Sequence, residues 1–452
     1  MAETTETETS EKKPEKKPRP RPKPRKKPVY LVDGARTPFL RARGKPGPFT
    51  PVDLAVQAGR PLLLRQPFEP DTFDQVILGC VNVVADEMNP ARVAALRLGM
   101  GHAMPAFTVQ VNCGSGMQSI DTAFRYIQAG QSDLILAGGT EALSHSPLIY
   151  NRQAVEWFGK MMTAKTVGAK LKALISARPS MLTPVIGLER GLTDPIVELN
   201  MGQTAELLAQ MFDISREQMD SYAFQSHQRL AKAHEAGHFK DEMVSLIDRN
   251  GGLYDYDDGV RPDTTLEKFG TLKPVFERPY GKVTAGNASQ ITDGASWVIL
   301  ASEEAVEKYQ LEPLARLVDT QWSALDPAIM GLGPVLSSTE LLKRQRLKKD
   351  DIDLWEINEA FAAQVLACQA AWDDTEFCRE VLHLRSAFGA IDPDKLNIDG
   401  GAISMGHPVG TSGNRLVLHL AQALKREGGK RGVASQCVGG GLGGSVLLEA
   451  MS

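Results

Sequence analysis

The sequence predicts an α/β protein made of two similar halves that flank one inserted, helix-rich segment. Strands and helices alternate from residue 29 to about 152 and again from about 285 onward, which is typical of a sheet covered by helices. The stretch between them is polar, has helical periodicity and is interrupted by Gly and Pro. We therefore predict a first half over 29–152 completed by 284–306, a loop domain over 153–283, and a second half over 307–452.

The first half contains short apolar runs and amphipathic stretches in alternation. Strands are predicted at 29–32, 76–80, 107–111 and 134–137, and helices at 94–98 and 117–129. Gly138 and Gly139 are expected to close the last of these strands. This order predicts a mostly parallel sheet.

The loop domain and the second half continue the alternation. In the loop domain, helices are predicted at 206–211 and Arg216–Glu235. After the loop domain, a strand is predicted at 296–301, which completes the first half. In the second half, strands are predicted at 352–357, 432–436 and 445–449, helices at 359–372 and 414–425, and glycine-rich turns at 397–413 and 439–444.

Composition excludes several functional classes. Of 452 residues, 42% are hydrophobic and 23% charged, and no apolar run approaches the ~20 residues of a membrane-spanning helix. The net charge of −4 excludes a basic nucleic-acid binder, so no nucleic acid is expected as a partner. Five cysteines without a C-x-x-C pair argue against a disulfide scaffold or a zinc ribbon. We expect a cytoplasmic protein.

Residues 1–28 form a basic, proline-rich tail. They hold ten Lys/Arg, five Glu and six Pro without an apolar cluster, so we predict that they are disordered. The tail lacks the apolar core of a signal peptide, and its Glu and Pro residues disfavour an amphipathic transit helix. Docking on an anionic membrane or nucleic acid is the alternative to a solvated extension.

Cys113 is the first candidate for chemistry. It lies between a predicted strand and the helix that follows, where unpaired N–H groups and the helix dipole favour a thiolate. Gly114 and Gly116 beside it permit close approach by a ligand. The alternative is a small buried core cysteine.

Cys437 ends a second predicted strand and precedes a glycine run that begins at Gly439. A Rossmann fingerprint must open a helix, whereas a strand follows here, so we reject a nicotinamide site. The N–H groups of this turn could instead hold a developing oxyanion. A core cysteine before a tight turn is the alternative.

Two further polar residues follow the same pattern. His407 precedes Pro408, which disfavours helical geometry at the histidine and leaves it in a loop as a candidate base or, alternatively, as a solvated surface residue. Asn358 lies between a predicted strand and helix, either as a helix N-cap or as a group aimed into a cleft. All four candidates lie at carboxyl ends of strands or in the loops beside them, where parallel sheets bind ligands.

The sequence resembles the thiolase family across nearly everything after the tail. The segments that carry the resemblance are VDGARTPF (32–39), VNCGSGMQS (111–119), LAGGTEALS (136–144), MGQTAE (201–206), TAGNASQITDGA (284–295), NEAFAAQ (358–364), GGAISMGHPVGTSGNR (400–415) and CVGGGLGG (437–444). The resemblance implies a five-layer αβαβα core of two similar halves, with a loop domain over the coenzyme A tail. It also implies acyl transfer without a metal or an organic cofactor beyond the coenzyme A of the substrates.

The resemblance also assigns roles to residues. Cys113 would take the acyl group from a 3-ketoacyl thioester, His407 would activate it, and Cys437 would exchange the α-proton of acetyl-CoA. Asn358 would hold a water that forms one oxyanion hole with His407, and the backbone N–H groups of Cys113 and Gly439 would form the other. The resemblance places three further residues at the substrate and coenzyme A: Ser289, Met201 and Phe361.

These roles fit the chemistry. A single cysteine cannot hold an acyl group and take the α-proton at the same time, so two thiols on different loops are needed. Two oxyanion sites are needed because negative charge develops first on the acyl oxygen and later on the enolate oxygen.

Two long stretches, 159–200 and 375–397, resemble the thiolase β-subunit of fatty-acid oxidation trifunctional complexes. This implies a hydratase/dehydrogenase α-subunit as a partner, although that subgroup usually has His at the position of Asn358. Short-chain thiolases often carry His at the position of Asn200, which weakens a short-chain preference. A homodimer or homotetramer is implied in either case.

The stretch 160–178 is amphipathic, with apolar residues on one face and basic residues around it. It predicts either a helix packed on its own loop domain or a subunit neighbour, or peripheral contact with a membrane or a partner subunit.

The main hypothesis is a degradative 3-ketoacyl-CoA thiolase of fatty-acid β-oxidation, which forms acetyl-CoA and a shortened acyl-CoA. The alternatives are a short-chain acetoacetyl-CoA thiolase that condenses two acetyl-CoA, and a non-catalytic thiolase-like scaffold for a partner.

Overall fold

The computed structural model describes residues 27–451. The predicted disorder of residues 1–28 therefore concerns, apart from Lys27 and Pro28, residues outside the described part. Lys27 lies beside the first strand and forms ion pairs with Asp133 at 3.3 Å and Glu304 at 2.9 Å. No helix within the described residues is long and apolar enough to cross a membrane.

The strands of the described chain are β1 (Val29–Arg36), β2 (Leu40–Arg41), β3 (Gln75–Gly79), β4 (Ala106–Val109), β5 (Leu134–Ala142), β6 (Leu148–Tyr150), β7 (Pro184–Ile186), β8 (Leu246–Ile247), β9 (Leu253–Tyr254), β10 (Thr292–Ser302), β11 (Ala315–Ala324), β12 (Leu354–Ile357), β13 (Arg431–Val438) and β14 (Leu442–Ala450).

The α-helices are α1 (Pro51–Leu64), α2 (Pro90–Arg97), α3 (Ser115–Gln128), α4 (Arg152–Thr163), α5 (Val167–Ile175), α6 (Gly187–Gly191), α7 (Met201–Met211), α8 (Arg216–Glu235), α9 (Leu266–Gly270), α10 (Glu303–Tyr309), α11 (Gly333–Gln345), α12 (Ala362–Asp373), α13 (Thr375–Glu380), α14 (Ala402–Met405) and α15 (Val409–Glu427).

One sheet runs through the molecule in the order β12-β13-β14-β11-β1-β10-β5-β3-β4, with β2 beside β10. Among the strand pairs of residues 27–451, only β3–β4, β3–β5 and β12–β13 are parallel. The prediction of a mostly parallel sheet is therefore wrong. Parallel neighbours arise where a helix crosses between strands, whereas β13 and β14 form a tight hairpin, and β1, β10 and β11 meet from distant parts of the chain.

The two halves repeat one strand order, β1-β10-β5-β3 in the first and β11-β14-β13-β12 in the second. They join where Val29–Leu31 of β1 pairs with β11. Helices α3 and α15 pack against each other and against both halves of the sheet, while α1 and α2 cover the outer face of the first half and α11 and α12 that of the second. The five-layer αβαβα architecture is confirmed; the residue boundaries predicted for the domains stay a prediction.

The glycine pairs and turns differ from the predictions. Gly138 and Gly139 lie inside β5. Both positions require glycine, because a Cβ on Gly138 would be 2.2 Å from the Trp297 ring and one on Gly139 would be 2.2 Å from the Gly410 carbonyl oxygen. They permit close packing rather than ending a strand. Likewise α15 begins at Val409 rather than at 414, and the turn between β13 and β14 spans only 439–441.

The inserted segment covers one end of this core. Helices α7 and α8 pack on α12, and α8 also contacts α14. The predicted helices of the loop domain are confirmed, with α7 beginning five residues earlier than predicted. The insertion thereby lies beside the loops that follow β4, β12 and β13.

Candidate active site

A cavity of about 1170 Å³ lies between the core and the inserted segment. Its core side is formed by loops after β4 and β13 and by the start of α15, and these contribute Asn112, Cys113, Val409, Gly439 and Gly440. Its other side is formed by residues 187–198 of the insertion together with Met201 of α7. A volume of this size accommodates a substantial part of an organic ligand.

Cys113 is partly buried and lines this cavity. The preceding Asn112 adopts a left-handed conformation (φ 44°), and its side-chain amide donates to the Gly439 carbonyl oxygen at 2.8 Å. This hydrogen bond ties the loop of Cys113 to the loop after β13. The backbone N–H groups of Gly439 and of Cys113 itself are near enough to the Cys113 sulfur to lower the pKa of its thiol.

The protonation state of Cys113 differs from the prediction. Burial raises the pKa of its thiol to about 11, although the N–H groups of Gly439 and of Cys113 itself lower it. The expectation that the helix N-terminus favours a thiolate is therefore wrong, because the loss of hydration outweighs the local dipoles. The resting sulfur is a thiol and needs a base.

His407 is buried, which excludes the alternative of a solvated surface residue. Its backbone N–H donates to the Gln290 carbonyl oxygen at 3.0 Å, and its ring contacts Ser412 Oγ through Nδ1 at 2.6 Å and Asn358 Nδ2 through Nε2 at 3.5 Å. Burial, together with the charge of Arg415, lowers the pKa of His407 to about 4. The imidazole is therefore neutral at pH 7.

The hydrogen bonds select one tautomer of His407. Ser412 Oγ lies 3.3 Å from the carbonyl oxygen of Pro408, which can only accept, so the hydroxyl donates there and accepts from Nδ1–H. Nε2 then carries a lone pair, which is also what the amide N–H of Asn358 requires. The ring is thus held with its basic nitrogen toward Asn358.

Asn358 is completely buried directly after β12, where its backbone N–H donates to the Ser435 carbonyl oxygen at 2.9 Å. Helix α12 begins at Ala362 with Phe361 as its N-cap, so the alternative that Asn358 caps this helix is wrong. Its side-chain Oδ1 is buried and accepts no hydrogen bond within residues 27–451. An amide with a free acceptor beside a basic imidazole is suited to hold a water.

Cys437 is buried near the end of β13, opposite Gly443 of β14. Burial raises the pKa of its thiol well above the usual range, and the neighbouring thiols of Cys113 and Cys368 raise it further. Cys437 therefore also rests as a thiol. The effect of Cys113 on this pKa indicates that the two sulfurs, 324 positions apart in sequence, lie near each other.

The three residues predicted to contact the substrate and coenzyme A differ in their position relative to the cavity. Met201 lines the cavity, and its sulfur would be 3.3 Å from a Cβ on Gly439. Ser289 and Phe361 do not line the cavity; the Ser289 N–H donates to the Ala360 carbonyl oxygen at 3.0 Å, and Phe361 packs in the core near Phe276. The structure therefore brings these two to the segment of Asn358, and their contact with substrate stays a prediction.

Two buried carboxylates near the site were missed by sequence reasoning. Glu141, at the end of β5, accepts from the N–H groups of Val81 at 3.1 Å, Asn82 at 2.8 Å and Gly410 at 2.9 Å, and burial raises its pKa to about 7. It links the cavity wall at 81–82 to the first turn of α15, close to His407. Its segment was noted as a motif, but nothing in the sequence shows that its oxygens face three backbone donors.

Glu359 is the second of these carboxylates. It accepts from Tyr222 Oη at 3.0 Å, Ser226 Oγ at 2.7 Å and the Ile403 N–H at 3.2 Å. It thereby connects helix α8 of the insertion to helix α14, which leads into the loop of His407. Its place directly after Asn358 was the only signal available from the sequence.

The family model described as "Thiolase, N-terminal domain" matches residues 29–304, and that described as "Thiolase, C-terminal domain" matches residues 311–450. The mitochondrial 3-ketoacyl-CoA thiolase of Rattus norvegicus is 41% identical over 425 residues, covering 93% of this chain and 98% of the rat protein. The β-ketoadipyl-CoA thiolase of Pseudomonas aeruginosa is 40% identical over 427 residues, with the same coverage.

A solved structure agrees with these sequences. The crystal structure of human mitochondrial 3-ketoacyl-CoA thiolase in complex with CoA superposes with a TM-score of 0.81 at 38% identity, covering 94% of this chain and 98% of the human chain.

Proposed function

Because the chain belongs to the thiolase family, we propose that it is an acyltransferase that cleaves 3-ketoacyl-CoA with coenzyme A to acetyl-CoA and a shortened acyl-CoA, as in fatty-acid β-oxidation. The observation that carries the proposal is a pair of interacting thiols, of which Cys113 lines the cavity, together with a neutral imidazole that contacts a buried amide and lies two residues before Val409 of the cavity wall. Each of these groups is uncharged at rest, so charge appears only when a substrate reacts.

In the first half-reaction, Nε2 of His407 takes the proton of Cys113, and the sulfur attacks the 3-keto carbon. The N–H groups of Cys113 and Gly439 would stabilise the negative charge that develops on the carbonyl oxygen, which is supported by their effect on the pKa of the Cys113 thiol. The bond between C2 and C3 then breaks, its electron pair forms the enolate of acetyl-CoA, and Cys437 protonates the enolate carbon.

The enolate oxygen has its own stabilising groups. Once His407 has taken a proton, Nε2 becomes a donor beside the Asn358 amide, and the two groups, with a water on Asn358, would form the second oxyanion hole. In the second half-reaction, the thiolate of Cys437 takes the proton of coenzyme A, whose sulfur attacks the acyl group on Cys113. The bond between the acyl carbon and the Cys113 sulfur then breaks, the shortened acyl-CoA leaves, and His407 returns its proton to Cys113.

Turnover against a ladder of 3-ketoacyl-CoA lengths tests the degradative function. We expect activity to extend beyond C4; activity confined to C4 would favour the alternative, a short-chain acetoacetyl-CoA thiolase. A non-catalytic scaffold would show no turnover at any length and no acyl-enzyme by mass spectrometry. The retained Cys113, Cys437, His407 and Asn358 argue against that alternative.

We also propose that the chain forms a homodimer or homotetramer and has a hydratase/dehydrogenase α-subunit as a partner. We further propose a cytoplasmic location and activity without a metal or added cofactor. Sedimentation velocity tests the oligomer, and turnover after dialysis against EDTA tests the metal, where we expect no loss. The rat relative carries a mitochondrial name, and cell fractionation tests whether this chain is instead cytoplasmic.

A further inference from the structure

The segment between β6 and β7 carries helices α4 and α5 as a separate small unit. The two helices are joined by a hydrogen bond from Trp157 Nε1 to the Ala173 carbonyl oxygen at 2.8 Å, and among their residues only Ala154 and Ala173 are buried. Large apolar side chains are exposed on this unit to an unusual degree, at Val155, Met162, Val167, Leu171, Leu174, Ile175 and Leu182. For example, Met162 is 86% exposed and Ile175 is 75% exposed. We call residues 152–182 the α4–α5 surface.

The α4–α5 surface is also basic. It holds one acidic residue, Glu156, and six basic ones: Arg152, Lys160, Lys165, Lys170, Lys172 and Arg178. Apart from Arg152, which pairs with Glu156, none of these six forms a salt bridge within residues 27–451. Since the whole chain carries −4, residues 1–28 carry +5 and this surface carries +5, everything else carries −14. A strongly positive apolar surface therefore stands out from an acidic body.

The α4–α5 surface adjoins the mouth of the active-site cavity. Ile149 of β6 is exposed and lines that cavity, and Leu188, Arg190 and Ile196, which follow β7, line it as well. Strand β6 before α4 and the residues that follow β7 thus form part of the cavity wall. A partner bound to this surface would lie next to the entrance for substrate.

We propose that the α4–α5 surface docks the protein on an anionic lipid bilayer, with its apolar side chains at the level of the headgroups and upper acyl chains. Helices with exposed apolar residues surrounded by lysine bind this interface, because burial of apolar area and attraction to anionic lipid act together. A second copy of the same surface is disfavoured as the occupant, because two such surfaces would bring ten net positive charges together. The proposal does not depend on the proposed function.

Vesicle flotation of the full-length chain tests the proposal. The probes are vesicles of phosphatidylcholine alone and vesicles containing 30% phosphatidylglycerol. We expect at least tenfold more bound protein on the anionic vesicles, with most of that binding lost at high salt because the charges are screened. Equal binding to both vesicle types, or binding to neither, would overturn the proposal.

Two pairs of substitutions assign the binding to this surface. L171D with L174D, and separately K170E with K172E, should each reduce binding to anionic vesicles at least tenfold while turnover of a short soluble substrate is retained. L64D at the end of α1 is the matched control, since Leu64 is 80% exposed away from this surface, and it should bind as the parent does.

The same variants separate the competing occupants. Undiminished binding of both double variants would assign the membrane contact to the basic tail and overturn the proposal. A fall in oligomer size in L171D with L174D, without vesicle binding by the parent, would show that a second copy covers the surface. Selective binding of an acidic protein in place of vesicles would equally refute it.

Discussion

Replacement of Ser412 by Ala tests the tautomer of His407. In the structure the hydroxyl is 2.6 Å from Nδ1 and is buried with the ring, so the substitution leaves a buried N–H without a partner. The ring becomes a cation when it takes the proton of Cys113, and a hydrogen bond to a charged group contributes about 1.5–3 kcal/mol. We therefore expect acylation to slow by about 10- to 150-fold, at 1.36 kcal/mol per factor of ten.

Stopped-flow acylation with a 3-ketoacyl-CoA, followed by mass spectrometry of the acyl-enzyme, measures this effect. We expect kcat to fall with little change in KM, because the hydroxyl acts on the base rather than on substrate binding. The acid limb of the pH profile should also move, since the lone pair on Nε2 is no longer selected. For the parent, that limb should lie near pH 4 to 5, given that the pKa of His407 is lowered to about 4.

Ser337→Ala is the matched control. Ser337 is also a buried helical serine whose hydroxyl donates to the carbonyl oxygen four residues earlier, at 2.9 Å, but it lies in α11. It should lose stability without a change in the pH profile of acylation. The reasoning fails if Ser412→Ala slows acylation less than twofold, or if both variants change the rate and the profile alike.

Three further predictions concern the thiols and the buried charges. Cys113→Ala should abolish the acyl-enzyme, whereas Cys437→Ala should still acylate but lose exchange of the methyl protons of acetyl-CoA with deuterium, measured by NMR; equal loss of both steps in both variants would contradict their roles. Glu141→Gln should lower kcat by about tenfold with retained folding, since an amide presents an N–H to backbone donors; unchanged kcat would limit Glu141 to a structural role. Burial alone would lower the pKa of His419, but the carboxylates of Glu242 and Asp399 raise it to about 10, so its contribution to the free energy of unfolding should be fully present below about pH 6.5 and lost as pH rises through 10; a urea titration of His419→Gln should lack that loss.

Sequence patterns were sufficient for much of the fold. Strands such as β3 and β13 have short apolar runs, and helix α3 has an apolar face, so local periodicity determines their type and approximate bounds. Strand direction was not predictable in the same way, because β1 and β10 pair over more than 250 residues of intervening chain. The glycines of β5 were misread for a similar reason, since the ring and carbonyl that they accommodate belong to distant segments.

The sequence was sufficient to propose which residues form the site, but it was not sufficient to predict their protonation states. Cys113, Cys437, His407 and Asn358 could be proposed from loops that end strands. In the structure Cys113 lines the cavity and interacts with Cys437, and His407 contacts Asn358. The thiolate expectation for Cys113 failed because the pKa depends on how much water the fold removes, which local sequence does not encode. Ser412 was overlooked because a helical serine has many roles and only its distance to the imidazole identifies this one.

The shifted pKa values of the three reacting groups support one common interpretation. The pKa values of both thiols are raised and that of the imidazole is lowered. The transfer of a proton from Cys113 to His407 is therefore unfavourable in the absence of substrate. The transfer becomes favourable only if the charge it creates is stabilised at once, first at the N–H groups beside the sulfur and then at the imidazolium. A reactive thiolate is therefore not exposed at rest, and alkylation of Cys113 by iodoacetamide should keep rising with pH through pH 9. A plateau below pH 8 would mean that the resting sulfur is ionised and that the base is not needed to activate it.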